Sequence, residues 1–228
     1  RRVVVVGAGP GGLEAARVSA ERGHEVVLFE REGETGGQIN LAARVGWREP
    51  LSGITRWLDG QVQMLGVDLR LGREASAEDV LAESPEVVVL ATGGSPNKGW
   101  FKGAELCDTT WDILSGKVVP GGNVLLHDDN GAQQGPVCAE FLADRGAKVE
   151  IVTPDRKLIA EMGASSFPAH MAEIYKRGVV VTANYRLVEV YREGEKLVAV
   201  LRNEYAREVE EERLVDQVVA EHGTLPNE

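Results

Sequence analysis

The first thirty residues constrain this chain more than any other stretch. Arg2 to Val6 is a short apolar run that breaks into Gly7-Ala8-Gly9-Pro10-Gly11-Gly12. Leu13 to Arg22 has helical character, Gly23-His24 turns the chain, and Glu25 to Phe29 is a second apolar run closed by Glu30. Strand, glycine turn, helix, and a strand ending in a carboxylate is the order of a βαβ unit that takes a dinucleotide. Gly7 permits the tight turn. Gly9 has no side chain, so a pyrophosphate can approach the backbone, and Gly12 lets the helix pack close to the strand. The free N–H groups and positive end of the helix then face the phosphates. Gly7, Gly9, Pro10, Gly11 and Gly12 are the candidate phosphate residues. Glu30, able to accept from ribose hydroxyls, and the adjoining Arg31 are the candidate adenosine residues.

A length of 228 residues allows one large or two small domains, and 43% apolar content supplies a core. The formal net charge of −11 argues against a nucleic-acid or anionic-membrane surface. A fold that holds phosphates with backbone amides has no conflict with that charge. No run of about twenty apolar residues is present, so no membrane span is expected. Cys107 and Cys138, far apart, form no disulfide framework and suit a reducing cytoplasm. The chain opens directly on a strand and stops soon after the apolar run Val215 to Ala220; the expectation is a piece of a longer polypeptide.

Beyond Glu30, the segment Arg31 to Gly46 reads as a loop. In it Gly37, Gln38 and Asn40 are candidate ligand contacts, because adjacent glycines admit a ligand and the two amides can bond it. Leu51, Ile54, Trp57, Leu58, Val62 and Leu65 recur at helical spacing, predicting an amphipathic helix over Glu49 to Leu65. Ser76 with Asp79 resembles a capping box. Glu86 to Leu90 reads as a buried parallel strand that exits through Ala91-Thr92-Gly93, three small residues able to lie against a ligand.

A second unit repeats the first: strand Val124 to His127, helix Gly135 to Arg145, strand Ala147 to Thr153. Cys138 corresponds to a packing alanine of the first helix, which favours a small core residue over a reactive thiol. The glycine turn has become His127-Asp128-Asp129-Asn130-Gly131-Ala132-Gln133-Gln134-Gly135. Two carboxylates, Asp128 and Asp129, stand where a pyrophosphate would lie, and Thr153 stands in place of Glu30. Dinucleotide binding should be weak there. His127 with Asp128 and Asp129 lacks a second cluster to complete a metal site, and His24, His170 and His222 read as isolated. Helix Ser166 to Arg177 and strands Val179 to Thr182, Leu187 to Arg192 and Leu197 to Leu201 follow, the last two as a hairpin. Val215 to Ala220 is expected to return to the first unit. The predicted fold class is α/β: two nested Rossmann-like dinucleotide-binding units, truncated at the C-terminus, with the first over 1–107, an inserted unit over 108–214, and a return strand over 215–228.

Gly7 to Gly12, Glu30, Gly37-Gln38, Ala91-Thr92-Gly93 and the nested second unit resemble the flavoproteins with two dinucleotide-binding domains. Gly36-Gly37-Gln38-Ile39-Asn40, Leu65-Gly66-Val67, Val87 to Gly93 and Glu221 to Asn227 are similar to the C-terminal half of the NADH:flavin oxidoreductase group. That group holds 2,4-dienoyl-CoA reductase, trimethylamine dehydrogenase and the dimethylglycine or N-methylproline demethylases. The resemblance implies FAD or ADP at the first site and an FMN barrel with a four-iron cluster in an N-terminal part of the same polypeptide. An acceptor electron-transfer flavoprotein is the implied partner. The altered second loop places the chain nearer the amine dehydrogenase and demethylase branch, so NAD(P)H is not expected at the second unit. Alternatives are an NAD(P)H-dependent reductase of the dienoyl-CoA type and a non-catalytic ADP-binding module. The Gly-Asp motif that follows the returning strand in that group is not among these residues. No catalytic residue and no metal ligand is assigned.

Overall fold

Alternation within β1 decides the layering of the first unit. In the computed structural model, which describes residues 1–227, β1 (Arg2–Val6) pairs in parallel with β2 (Glu25–Phe29) and β4 (Val87–Leu90), and β2 with β3 (Asp68–Arg70). The sheet order is β3-β2-β1-β4. Successive side chains of a strand face opposite ways. Val3, Val5, Val26 and Leu28 accordingly share one core with Leu13 and Ala16 of α1 (Pro10–Glu21) and Leu58 and Val62 of α3 (Ser52–Met64). Val4, Val27 and Phe29 share the other with Val80 of α4 (Ala77–Ala82). The capping box is present: the Asp79 N–H donates to Ser76 Oγ at 3.1 Å, and the Ser76 N–H to Asp79 Oδ2 at 3.0 Å. The predicted helix over 49–65 begins as a 3-10 turn, Gly46–Leu51, before α3. A short helix missed in the sequence, α2 (Gln38–Ala42), lies in the supposed loop. The short strand β5 (Gly94–Pro96) follows β4.

The second unit is built on a five-stranded parallel sheet of order β6-β13-β7-β8-β9. Its strands are β6 (Asp108–Thr109), β7 (Asn123–Asp128), β8 (Lys148–Thr153), β9 (Val180–Ala183) and β13 (Gln217–Glu221). Helices α5 (Thr110–Ser115), α6 (Gln134–Ala143) and α7 (Phe167–Lys176) belong to it. An antiparallel sheet of β10 (Tyr185–Glu193), β11 (Lys196–Asn203) and β12 (Glu210–Val215) packs on the parallel one. Leu187, Val190, Leu197, Ala199 and Leu201 meet Leu125, Val152, Val218 and Ala220 in a common core. The last strand is β14 (Thr224–Pro226).

The chain divides into Arg1–Ser95 with Pro226–Glu228, and Pro96–Leu225. This differs from the boundaries expected at 107/108 and 214/215. Β13 lies between β6 and β7 in the second sheet, paired with β7 from Gln217↔Val124 to Glu221↔Asp128. It is an inner strand of that sheet and not the return strand to the first unit. An apolar run buried on both faces identifies a central parallel strand, but nothing local in the run states which sheet accepts it. No helix among the described residues is long and apolar enough to cross a membrane.

Candidate functional site

Gly7 is the hinge of the first unit's site. Its φ of +102° is one an L side chain rarely adopts, and a Cβ there would fall 2.4 Å from the Ala91 carbonyl oxygen. Gly12 answers a separate need. A Cβ on it would lie 1.8 Å from the Gly7 carbonyl oxygen, so the start of α1 sits directly against the strand end. At Gly9 and Gly11, by contrast, a Cβ would meet nothing within 4 Å. The turn therefore has a packed side, at Gly7 and Gly12, and an open side, at Gly9 and Gly11. Helix α1 has no side-chain cap, and Pro10 occupies its first turn, where an N–H has no intrahelical acceptor anyway.

The other predicted residues collect around that open side, with two exceptions. Glu30 is buried; its Oε2 accepts from the Ala8 N–H at 2.7 Å and its Oε1 from the Glu32 N–H at 2.9 Å. Both bonds fix the carboxylate at the strand end and leave lone pairs for further donors. The Gly36 N–H donates to the Ala8 carbonyl at 2.9 Å, and a Cβ on Gly37 would be 3.2 Å from Gly9 Cα, so this second glycine pair lies on the first turn. Gln38 is exposed at the start of α2, with its amide nitrogen beside Gly93. The Ala91 N–H donates to the Val6 carbonyl at 2.8 Å, aligning Ala91-Thr92-Gly93 with the turn. Asn227, the end of the stretch Glu221 to Asn227 and given no site role in the sequence, clamps that exit: its Nδ2 donates to the Thr92 carbonyl at 2.9 Å and its N–H to the Gly93 carbonyl at 3.1 Å. The exceptions are Asn40, whose amide folds back to the Thr35 carbonyl at 2.9 Å and the Glu34 carboxylate at 3.3 Å, and Arg31, exposed and paired with Glu32 at 3.2 Å.

The second unit has the same frame with different contents. Three residues, Gly7 to Gly9, join β1 to α1; five, Asp129 to Gln133, join β7 to α6. Asp128 is fully buried over Gly135, and burial, then the neighbouring Glu221, push its carboxyl up to about 7. Asp129, expected beside it, turns away to Arg186 at 2.7 Å and lies 3.4 Å from His222 Nδ1. The second carboxyl is instead Glu221, which accepts from the Thr110 hydroxyl and, at 2.9 Å, from the Gly223 N–H. Burial raises its pKa as well. His222 is not isolated: its ring lies tilted, 5.2 Å from that of His127, whose pKa burial drives down to about 3, and 5.7 Å from that of Phe101. Cys138 is fully buried, its thiol held well above the usual range by desolvation, which suits packing. No group of three or more His, Cys, Asp or Glu among the described residues is placed to hold a metal ion.

A parallel sheet with a glycine turn, a strand-end carboxylate and a nested second unit of the same frame defines the class of flavoproteins with two dinucleotide folds. Residues 2–88 match the FAD dependent oxidoreductase family. The chain is 50% identical, along its whole length, to the N,N-dimethylglycine/sarcosine dehydrogenase of Chromohalobacter salexigens, and covers 34% of that protein. It is 45% identical over 99% of its length to a probable N-methylproline demethylase of Rhizobium meliloti, covering 33%. Among solved structures, a 2-naphthoyl-CoA reductase superposes with a TM-score of 0.89 at 28% identity, over 97% of this chain and 33% of the reductase. The chain thus spans about a third of the length of the relatives it matches.

The family implies FAD, and the first unit fits an adenine dinucleotide. Open space stands over Gly9 and Gly11, the first turn of α1 is uncapped, and the Glu30 carboxylate sits at the end of the adjacent strand.

Proposed function

We propose that the first unit holds the adenosine and pyrophosphate of FAD or ADP, and that the chain is the nucleotide-binding module of an FMN and iron–sulfur flavoprotein acting as an amine dehydrogenase or N-demethylase. The observation that carries this reading is the glycine turn, packed at Gly7 and Gly12 and open at Gly9 and Gly11. In this reading the backbone N–H groups at the start of α1 face the phosphates and the helix end stabilises their charge. Glu30 accepts from the ribose hydroxyls while the Ala8 and Glu32 N–H groups keep it in place. Gly37 and Gln38 border the pyrophosphate, Arg31 lies at the adenosine edge, Asn40 shapes the loop, and Ala91-Thr92-Gly93, clamped by Asn227, lines the inner edge. FAD, when bound, supplies hydride or single-electron chemistry; no side chain of this chain is assigned an acid or base role.

The FMN barrel and four-iron cluster belong to the rest of the polypeptide, amine oxidation takes place there, and a separate electron-transfer flavoprotein accepts the electrons in the cytoplasm. The 50% and 45% identities to a dehydrogenase and a demethylase of N-methyl compounds support this reading over a nicotinamide-dependent reductase.

The test is to purify the full-length protein, release its nucleotides by heat and identify them. FAD or ADP in about equal amount to protein is expected; neither sinks the reading. Glu30→Ala removes the acceptor of the buried Ala8 N–H, a loss of about 1–3 kcal/mol, as well as the ribose contact. Nucleotide retention should fall by roughly ten- to a hundredfold, measured by equilibrium dialysis. Unchanged retention would remove Glu30 from the site.

A further inference from the structure

The strand exit beside the glycine turn recurs in the second unit, and so does the residue that holds it. Gly93-Gly94-Ser95-Pro96-Asn97 and Gly223-Thr224-Leu225-Pro226-Asn227 share glycine, proline and asparagine at the same spacing. Each run follows a parallel strand, β4 in the first unit and β13 in the second, and opens on a glycine of positive φ, +67° at Gly93 and +75° at Gly223. The asparagines are exchanged. Asn97, which follows β4, donates from its Nδ2 to the His222 carbonyl at 3.2 Å and from its N–H to the Gly223 carbonyl at 3.0 Å. Asn227, which follows β13, makes the same two bonds to Thr92 and Gly93, and its own carbonyl accepts from the Thr92 hydroxyl at 3.3 Å. Each exit is held by the asparagine that the chain attaches to the other exit, 125 positions away in one case and 135 in the other.

The two exits differ in their surroundings. In the second unit the His222 side chain is buried beside those of His127 and Phe101. In the first, Thr92 and Gly93 are exposed. Strand β4 is the edge of its sheet among the described residues, flanked by β1. The bond from the Ala91 N–H to Val6 carries that ladder one residue past the strand. Beyond it, Asn227 pins both the Thr92 and the Gly93 carbonyl. The pinning bears on the phosphate turn. The Ala91 carbonyl oxygen and the Thr92 nitrogen are 2.4 and 3.2 Å from where a Cβ of Gly7 would stand, and Ala91 Cβ is 3.2 Å from where one of Gly12 would stand. Ala91 and Thr92 are thus the surface on which the glycine turn rests.

We propose that Asn227 is a positioning residue for the first-unit nucleotide: it holds the Ala91-Thr92-Gly93 exit against the glycine turn in the arrangement that takes the ligand. The inference rests on the reading of that turn as the adenine-nucleotide site. It gives the second unit a task in the first unit's binding, since the chain reaches Asn227 only after passing through the second unit. Linkage makes the effect mutual. A clamp that favours the bound state is tightened, by the same factor, when the ligand binds. A residue that only stabilises the fold has no such response.

The experiment uses the full-length protein. Asn227→Ala removes the donor to Thr92, and Asn227→Asp keeps the shape but sets a carboxylate oxygen against a carbonyl. Asn97→Ala removes the corresponding bond of the second unit and is the control. FAD and ADP affinities are measured by equilibrium dialysis after the resident nucleotide is removed, and release from the loaded protein is timed by ultrafiltration. Both Asn227 variants should bind about threefold to tenfold more weakly than the unaltered protein, and Asn97→Ala should bind equally well. Amide exchange with and without nucleotide gives the reciprocal reading. The Asn227 N–H should exchange about threefold to tenfold more slowly when nucleotide is bound, and the Asn97 N–H at the same rate in both states. Unchanged affinity in both Asn227 variants overturns the proposal. So does an equal loss in Asn97→Ala, which assigns the effect to general loosening, and so does Asn227 exchange that ignores the ligand. If a variant fails to fold by circular dichroism, the exchange comparison on the unaltered protein decides. Nucleotide absent from the unaltered protein refutes the site itself; nucleotide present, and held equally well by the variants, refutes only the clamp.

Discussion

Gly12→Ala should both destabilise the first unit and empty it. The new methyl carbon would stand 1.8 Å from the Gly7 carbonyl oxygen and 2.9 Å from its carbonyl carbon, both backbone atoms that no rotamer change can move aside. Helix α1 must retreat from β1, opening the core that Leu13 and Ala16 share with Val3 and Val5. Overpacking a core usually costs about 1–3 kcal/mol, and a clash with fixed backbone belongs at the top of that range, near 3 kcal/mol. For a chain of this size that lowers the melting midpoint by about 6–12 °C. The retreat also withdraws the helix N–H groups from the phosphates, so nucleotide affinity should fall by about a hundredfold or more.

Gly9→Ala is the matched control, and it separates packing from binding. Gly9 has φ −69°, which alanine adopts freely, and its Cβ would point into clear space. The melting midpoint without nucleotide should not move, while affinity should fall by roughly tenfold or more, because the methyl occupies volume assigned to the pyrophosphate. Calorimetric melting with and without added FAD or ADP reads both quantities. If Gly9→Ala binds as the unaltered protein does, the open side of the turn is not the phosphate site.

Much of this was legible because the fingerprint uses residues whose reason is local. A glycine at φ +102° and a glycine with a carbonyl 1.8 Å from its missing Cβ are both written in a six-residue turn, and the strand–helix–strand order around it is a matter of periodicity. The capping boxes of α4 and α5 were readable to different degrees: Ser76 with Asp79 from its spacing, Thr109 with Asp112 only once the strand β6 was seen to end there. The assignments that failed depend on partners distant in sequence. Β13 carries no local mark of the sheet it enters. Glu221 and Asp128 are 93 positions apart and meet only because β13 and β7 pair. Asp129 reads like Asp128 in the sequence, but successive strand-end side chains diverge, and only Arg186, on β10, shows which way it turned. Asn227 is likewise silent until its bonds to Thr92 and Gly93 are seen.

The acid pair makes the second unit's stability depend on pH in a window where ordinary carboxylates contribute little. Asp128 titrates near 7 in the folded chain against about 3.8 when exposed, lifted first by burial and then by Glu221, with Asp155 adding to it and the N–H groups of Asn130 and Gly131 opposing. A folded-state pKa above the unfolded value means that the folded chain binds more protons between the two. Stability is therefore full below about 4, falls as pH rises through the window, and reaches its minimum above about 7. A shift of this size corresponds to an upper bound on the order of 4 kcal/mol at 1.36 kcal/mol per unit, reduced by whatever relaxation lets water reach the ionised group. Asp128→Asn keeps the acceptor for Asn130 and Gly131 and cannot ionise. The variant should match or trail the unaltered protein at pH 4 to 5 and exceed it at pH 8 to 9. The difference should be concentrated in β7 and β13, where the pair sits. Hydrogen exchange of the His127 and Ala220 amides, compared between the two proteins at each pH, cancels the intrinsic pH dependence of exchange. Protection factors that diverge above neutrality bear out a proton held by the pair; parallel curves from pH 4 to 9 would mean that Asp128 ionises at an ordinary pH and that its burial is relieved by a route other than protonation.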